Sequence, residues 1–409
     1  MSGPGRAFFD EQEIRNVLAA MEGTLTRYRY DTSQDESFVY RFEREAQRVF
    51  GSRHCLAMNS CTSALLSGLG ALGIGPGDEV IVPGYTFIAS IAAIVYAGAT
   101  PVLAEIDDTL NLDPADVEAK ITDRTRAIMA VHMLGAGADM QRLADVAGRH
   151  DLHLVEDVAQ ACGGSQHGRR LGAIGAFGAF SLNYFKVLTS GDGGFLLTGD
   201  EELYRRAYGI HDHGFRPLRD GASDDTALFG LNLRMSDVTG AIALAQLGKI
   251  DTVLSRTREV KARLVDGIGA LPGVRRRRLV DADGDCALVL AYIFDSAQDA
   301  ARVAGELDTA PLVRSHRHYY GNMGQLGRLG KDGTSGSAPF RRPSGHEQAY
   351  EPGALPATDS LLSRTIAIAT GTSDWYSATS FGATVRSSDG EIDAIAERFR
   401  QAVERVCGR

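Results

Sequence analysis

Lys186 closes the segment Phe180-Ser-Leu-Asn-Tyr-Phe-Lys186, directly ahead of a glycine-bearing turn, Ser190-Gly-Asp-Gly-Gly194. Upstream, an apolar strand pattern ends in acid, His153-Leu-Val-Glu-Asp157, followed by Val158-Ala-Gln160. A lysine amine at a strand end can form a Schiff base with an aldehyde. A strand-end carboxylate can keep a pyridine nitrogen protonated, so that the ring takes up an electron pair. Such a carboxylate is costly in an apolar setting unless paired, and the protonated nitrogen would pair it, its own pKa being raised in return. Asp157 and Lys186, with Ser181 between them, therefore suit pyridoxal 5′-phosphate (PLP). The plain alternatives are a helix N-cap at Asp157 and an exposed lysine at 186.

Three further segments carry chemistry-bearing residues. Asn59-Ser-Cys-Thr-Ser-Ala-Leu65 precedes an apolar helix and reads either as an ordinary N-cap or as a phosphate cup built from free N–H groups and hydroxyls. Pro83-Gly-Tyr-Thr-Phe87 follows an apolar strand, where ligands of α/β sheets lie, and its Phe could stack on a flat ring or open a helix in the core. Phe229-Gly-Leu-Asn-Leu-Arg-Met-Ser236 places an Asn and an Arg two apart just before a helix capped by Ser236 or Asp237, or is simply a loop. Each segment alone is ambiguous. All of them, in order and at strand termini, are far harder to obtain by chance.

The elements that must position these residues alternate. Apolar β-branched runs (Glu79–Val82, Thr100–Leu103, Arg126–Val131, Leu152–Val155, Phe177–Leu182, Gly194–Thr198) are separated by helical patterns, one opening at Asp113-Pro114. This predicts an α/β large domain with a mostly parallel sheet flanked by helices. Residues 8–50 read as helix, exposed loop at Tyr28–Asp35, helix. Helices at Ser236–Gln246 and Asp251–Gly269 lead to a smaller α+β C-terminal domain with a strand at Cys286–Phe294 and helices at Ala297–Leu307 and Asp389–Val406. The expected division is 1–30, an N-terminal segment, 31–253, the PLP-binding domain, and 254–409, the small domain. Residues 321–353, rich in Gly, Ser, Pro and Arg, read as a long irregular stretch, either a functional loop or disorder.

With 409 residues, two domains are expected. A net charge of −9 gives no support for binding nucleic acid or anionic membranes. Five scattered cysteines without CxxC pairs fit reduced thiols in a cytoplasmic protein. No signal segment and no membrane-length apolar run is present. The arginine run 275–278 reads as a solvated edge or oligomer contact rather than a phosphate site. No metal site is expected.

Taken together, Ser60-Cys-Thr-Ser-Ala-Leu65, Pro83-Gly-Tyr-Thr-Phe87, Val155-Glu-Asp-Val-Ala-Gln160, Ser181-Leu-Asn-Tyr-Phe-Lys-Val-Leu-Thr-Ser-Gly-Asp-Gly-Gly194 and Gly230-Leu-Asn-Leu-Arg-Met-Ser236 resemble the motifs of the DegT-type (DegT/DnrJ/StrS) sugar aminotransferases, PLP enzymes of fold type I. The resemblance implies that Lys186 is the Schiff-base lysine and proton shuttle and that Asp157 pairs with the pyridine nitrogen. It places Gln160 near the ring hydroxyl, Phe87 on the ring, and Cys61, Thr62 and Ser181 on the phosphate. Asn232 would reach the phosphate of a neighbouring subunit, making a homodimer with shared sites. Cys61 and Asp192 depart from the usual Gly and Glu.

The function implied by the resemblance is an aminotransferase of amino-sugar or antibiotic biosynthesis, cycling through pyridoxamine phosphate (PMP), with L-glutamate the expected donor and a keto or aldehydo sugar the acceptor. Asp212-His-Gly214, Asp281-Ala-Asp-Gly-Asp285, His318-Tyr319 and Ser363-Arg-Thr-Ile366 resemble the branch acting on keto-sugar phosphates and ulosonic acids, implying a substrate without a nucleotide. Tyr85, Arg314, His316, His318 and Tyr319 are the candidate substrate residues; the alternative for the segment 314–320 is that it only packs the small domain on the large one. A sugar dehydratase on the same fold is the alternative, though relatives that eliminate replace the lysine by His. A non-catalytic PLP-binding regulator would need a DNA-binding domain that residues 1–50 are too short to form. A nucleotide-binding α/β protein would need a glycine-rich fingerprint that Met58-Asn-Ser-Cys-Thr-Ser does not supply.

Overall fold

The computed structural model describes residues 3–23, 37–215, 228–332, 350–371 and 378–408. The chain opens with α1 (Glu11–Glu22) and α2 (Phe38–Phe50), then alternates through β1 (His54–Met58), α3 (Cys61–Ala71), β2 (Glu79–Pro83), α4 (Ile88–Tyr96), β3 (Thr100–Ala104), α5 (Pro114–Ala119), β4 (Thr125–Val131), α6 (Met140–Arg149) and β5 (His153–Asp157). A small hairpin, β6 (Ser165–Gln166) and β7 (Arg169–Arg170), precedes β8 (Gly178–Ser181), β9 (Gly194–Thr198), α7 (Glu201–His211), α8 (Asp237–Leu247) and α9 (Ile250–Ile268). The remainder comprises β10 (Val274–Arg276), β11 (Val289–Phe294), α10 (Ala297–Glu306), α11 (Gly324–Asp332), α12 (Pro356–Ser363), β12 (Thr365–Ala369) and α13 (Asp389–Cys407). No helix among the described residues is long and apolar enough to cross a membrane.

The seven-stranded sheet has the order β1-β9-β8-β5-β4-β2-β3. The pairs from β8 to β3 are parallel, and only β9 runs against its neighbours. Helices cover both faces, so the strands carry unbroken apolar runs; β2, Glu-Val-Ile-Val-Pro, is buried throughout. Local chemistry starts the helices as the sequence predicts. Asp113 caps α5 through Ala115 N (2.9 Å) with Pro114 at the first helical position, and Ser236 caps α8 through Thr239 N.

This topology decides where the chemistry sits. Parallel strands deliver the segments after β1, β2, β5 and β8 to one edge. β9, antiparallel, begins at that edge with Gly194, opposite Met58 and Ser181. A Cβ on Gly194 would lie 2.4 Å from the Cys61 nitrogen, so only glycine lets β9 approach the start of α3.

β10, β11 and β12 form an antiparallel sheet whose middle strand alternates between two cores. Leu290 and Phe294 pack with Val260, Leu264, Phe399 and Val403 of α9 and α13, while Val289, Ala291 and Ile293 belong to the main core. Helix α9 spans both: Val253 and Leu254 sit in the main core, Val260 and Leu264 in the smaller one.

The long strands and helices lie within a few residues of their expected bounds, but several readings are corrected. Residues 321–353 are not wholly irregular, because α11 occupies Gly324–Asp332; residues 333–349 lie outside the described residues, as does the loop at 28–35. Helices α7 and α12 and strands β1 and β12 are additions. The arginine run is not one solvated edge. Arg275 and Arg278 do pair with Asp108 at the surface, but Arg277 is buried and donates to the carbonyls of Met133 (3.1 Å) and Leu134 (2.9 Å). Four identical residues give no polar/apolar alternation, so nothing in the sequence marks the inward position.

One fully buried pair braces β5 beside the site. Glu156 accepts from Gly172 N (2.7 Å), Ile174 N (2.8 Å), Gly175 N (2.7 Å) and His132 Nε2 (3.1 Å). Because His132 Nδ1 accepts from Ala138 N, the imidazole proton sits on Nε2. Burial alone would push the Glu156 carboxyl up; the His132 bond and the backbone donors outweigh it and hold the carboxyl below its ordinary value. Its stabilising contribution is thus present above about pH 4.3 and is lost as pH falls through the lower folded value. Glu156→Gln, which turns an N–H₂ toward donors, should cost about 3–5 kcal/mol in urea unfolding at pH 7 and remove that acid-side slope. An unchanged unfolding midpoint would contradict the bracing role.

Candidate active site

Lys186 reaches the cleft from a stapled turn. Leu182 N donates to Gly193 O (2.9 Å), Ser190 N to Leu182 O (2.9 Å) and Lys186 N to Asn183 O (2.9 Å). Asp192, the departure from Glu, accepts from Asn183 Nδ2 (2.8 Å), so the shorter carboxylate still closes the turn. Half-buried Lys186 lines a cleft with Leu134, Gln160, Leu288, His318 and Thr379.

Asp157 ends β5 and is 4% exposed. Its Oδ2 accepts from Ser90 Oγ (2.7 Å). Its Oδ1 accepts from Ala159 N (3.0 Å) and from the Cys61 thiol (3.9 Å). All three hydrogen-bond donors are neutral, an environment in which a buried carboxylate suits a cationic ring nitrogen. The Asp157 bond to Ala159 N closes a turn; no helix starts here, so the helix N-cap that the sequence offered as an alternative is not formed. Burial first, then Asp157, push the Cys61 thiol well up, which keeps it protonated and a donor.

At the start of α3 the N-cap reading of Ser60–Ser63 is seen, and it leaves N–H groups for the phosphate-cup reading. Ser60 Oγ accepts from Ser63 N (3.1 Å) as an N-cap. The N–H groups of Cys61 and Thr62 have no acceptor among the described residues, and the Thr62 side chain is exposed. Ser181, buried at the end of β8, accepts from Asn183 N (3.3 Å) and has its own O–H to donate. Free helix N–H groups beside hydroxyls and a glycine-tight approach are the donor set a phosphate takes. The residues present therefore fit PLP at both its ring nitrogen and its phosphate.

The cleft walls combine expected and unexpected residues. Phe87 precedes α4, partly exposed, its ring centroid 5.3 Å from that of His318. His318 is buried; burial, Lys186 and Arg317 push its imidazole down to about 3, so it is neutral at working pH, and its Nδ1 has no hydrogen-bond partner among the described residues. Gln160 Oε1 accepts from Leu134 N (3.0 Å), which turns its amide N–H₂ away from that bond. Leu134 has a left-handed backbone (φ 57°), held from both sides by Gln160 and by Arg277 on its carbonyl.

Other candidates sit elsewhere. Tyr85 is fully buried, its hydroxyl has no partner among the described residues, and burial pushes that hydroxyl up. The Tyr319 hydroxyl donates to Asp359 Oδ1 (2.8 Å), which ties it to α12 rather than to the cleft. Arg314 and His316 are exposed and outside the cleft lining. Asn232 is exposed too, on a segment docked beside β1 through Asn59 N to Leu233 O (2.8 Å). Arg234 anchors that segment on buried Asp212.

Three of the four branch cues do structural jobs. Asp212 holds Arg234. Asp281 caps its turn and Asp285 pairs with Lys261. Arg364 donates to Phe294 O (3.0 Å). Sequence reasoning missed Thr86, Ser90, Leu134, Arg277, Leu288 and Thr379. A serine inside the apolar helix Ile88-Ala-Ser-Ile-Ala-Ala-Ile-Val-Tyr96 was the one legible sign; Leu288 and Thr379 arrive from distant segments that no local pattern connects.

Known proteins are similar to this chain in sequence and fold. The chain is 42% identical over 252 residues to GDP-perosamine synthase of Caulobacter vibrioides, covering 61% of this chain and 66% of the relative. It is 41% identical over 244 residues to L-glutamine:2-deoxy-scyllo-inosose aminotransferase of Micromonospora echinospora, 58% of each. The match thus spans less than two thirds of either relative. The crystal structure of 3-amino-5-hydroxybenzoic acid synthase superposes with a TM-score of 0.76 at 29% identity, over 97% of both chains. A sugar aminotransferase from Streptococcus pneumoniae, solved in its PMP form, shares the fold at 22% identity (TM-score 0.77, 99% of this chain and 97% of that one). The model of the DegT/DnrJ/EryC1/StrS aminotransferase family matches residues 10–370, and the chain belongs to that family.

Proposed function

We propose that the protein is a PLP-dependent aminotransferase that moves an amino group from L-glutamine or L-glutamate to a keto or aldehydo sugar, or a cyclitol relative, in amino-sugar or antibiotic biosynthesis. The observation that carries this reading is the buried Asp157 carboxylate, bonded only to neutral donors, at the same sheet edge as Lys186. Lys120, Lys249 and Lys261 each hold a carboxylate, of Asp116, Glu13 and Asp285 respectively. Lys186 is the lysine of this group that lines the cleft.

When bound, PLP would supply the electron sink that lets an amino acid lose its Cα proton. The chain's own residues do the rest. Lys186 would hold the cofactor aldehyde, and its Nζ is the base available for the donor's Cα proton. Asp157 would keep the ring nitrogen protonated, and Phe87 would cover the ring. The amide of Gln160 would offer a donor to the ring hydroxyl. The N–H groups of Cys61 and Thr62 with the Ser181 hydroxyl would hold the phosphate. His318, neutral, offers Nδ1 to a sugar hydroxyl. L-glutamine enters because the inosose aminotransferase names it as donor.

Two finer parts of the proposal rest on exposed residues. A homodimer accounts for the apolar stripe Ile14, Leu18 and Met21 on one face of α1, and for exposed Phe229 and Leu231 flanking Asn232. Asn232 would then serve the phosphate of the second copy. An acceptor bearing a carboxylate or phosphate, without a nucleotide, would meet Arg317, which acts on the cleft residue His318, or the exposed Arg314 on the same segment. The relatives named above include both a nucleotide-linked and a nucleotide-free product or substrate name, so the acceptor is the part to test first.

The test converts the pure protein to its PMP form and screens keto sugars and keto cyclitols, free, phosphorylated and nucleotide-linked, for return of visible absorbance. A free or phosphorylated acceptor should restore it. Arg314→Ala or Arg317→Ala should raise that acceptor's KM by roughly 10–100-fold, the worth of one charged hydrogen bond, with the donor half-reaction unchanged. Failure of every keto compound refutes the aminotransferase, and a preference for nucleotide-linked sugars refutes the acceptor class. For the dimer, mixing inactive Lys186→Ala and Asn232→Ala chains should regain activity through one intact shared site. No recovery despite demonstrated subunit exchange places Asn232 outside the partner's site.

A further inference from the structure

Behind Asp157 lies a chain of hydroxyls with a defined direction. Ser90 Oγ is 2.7 Å from Asp157 Oδ2, and a carboxylate only accepts, so the Ser90 proton is committed to it. Thr86 Oγ1 is 2.7 Å from Ser90 Oγ. With its own proton already given to Asp157, Ser90 accepts there and Thr86 donates. The alternative acceptor for Thr86, the Phe87 carbonyl, is 3.4 Å away. Thr86 and Ser90 are both fully buried, so water does not compete for these bonds. Thr86 N in turn donates to His318 O (2.9 Å), which ties the same turn to a residue lining the cleft.

From this geometry we infer that Thr86 and Ser90 form a hydroxyl relay that positions the cofactor-facing acid, Ser90 directly and Thr86 through it. The inference rests on the PLP reading above and deepens it. The relay sits in the turn that presents Phe87 and in the first turn of α4. One short segment therefore sets both the stacking ring and the orientation of the carboxylate that meets the ring nitrogen. Without Ser90, Asp157 keeps its two Oδ1 donors but loses its hold at Oδ2 and can rotate about its side-chain axis. A carboxylate that is buried, charged and free to rotate is a poor partner for a ring of fixed position. Thr86 and Ser90 are positioning residues: neither is placed to touch substrate.

The experiment compares wild type, Ser90→Ala, Thr86→Val and Thr86→Ser. PLP affinity, the position of the bound cofactor's visible band, and the melting temperatures of apo- and PLP-loaded protein are measured for each. Ser90→Ala should bind PLP about 10-fold or more weakly, as loss of an outer-shell partner does, and should shift the visible band. The melting temperature gained on loading should shrink more than that of the apo-protein falls. Thr86→Val should move the same readouts in the same direction by less. Thr86→Ser, which keeps the hydroxyl, should behave as wild type. Wild-type affinity and spectrum in Ser90→Ala would overturn the relay, as would a Thr86→Ser variant as impaired as Thr86→Val, since packing rather than the hydroxyl would then matter. A wild-type protein that binds no PLP would refute the cofactor reading itself, and the relay with it.

Discussion

A carboxylate buried at the end of β5 is the constraint around which the rest of this molecule is arranged. Asp157 is nearly inaccessible, yet its hydrogen-bond donors are a serine, a thiol and a backbone N–H. Taking an ionised group out of water costs several kcal/mol unless something cationic meets it. At Asp157 the structure bears that cost where five segments of the sheet edge converge. Parallel strand order makes the convergence possible, because it brings the ends of β1, β2, β5 and β8 together; antiparallel β9 completes the edge with the glycine that lets α3 close in.

The next shell is built to keep this edge rigid. Glu156, next to Asp157 but pointing to the opposite side of the strand, collects three backbone N–H groups and His132. Arg277 crosses from the small sheet to hold Leu134 in its left-handed conformation, while Gln160 holds the same residue from the cleft side. The chain around the small sheet thus contributes a wall, Leu288, and a clamp, Arg277. The lysine turn is closed by side chain and backbone bonds of its own, so that Lys186 is presented from a fixed frame rather than from a loose loop.

Much of this was legible in the sequence, for a physical reason in each case. The strands of the large sheet are continuous apolar runs because both faces are covered, and the site residues stand at their ends, so pattern and chemistry coincide. The order cup, aromatic, acid, lysine survives as linear spacing. What was hidden depends on contacts far apart in sequence or on repetition without contrast. Arg277 is masked by identical neighbours. Leu288 and Thr379 come from other segments. Tyr319 entered as a candidate through the branch resemblance, and its hydroxyl bond to Asp359, forty positions on, could not be read from local pattern. The acidic cues at 212 and 281–285 looked like specificity and serve as anchors for Arg234, Lys261 and a turn.

If Lys186 and Asp157 hold one PLP molecule between them, borohydride reduction of the PLP-loaded protein, followed by peptide mapping, must show it. Reduction should bleach the visible band and leave one pyridoxyl-phosphate group on the peptide containing Lys186. A label on Lys120, Lys249 or Lys261, or no covalent label in a protein that has bound PLP, would contradict that pairing.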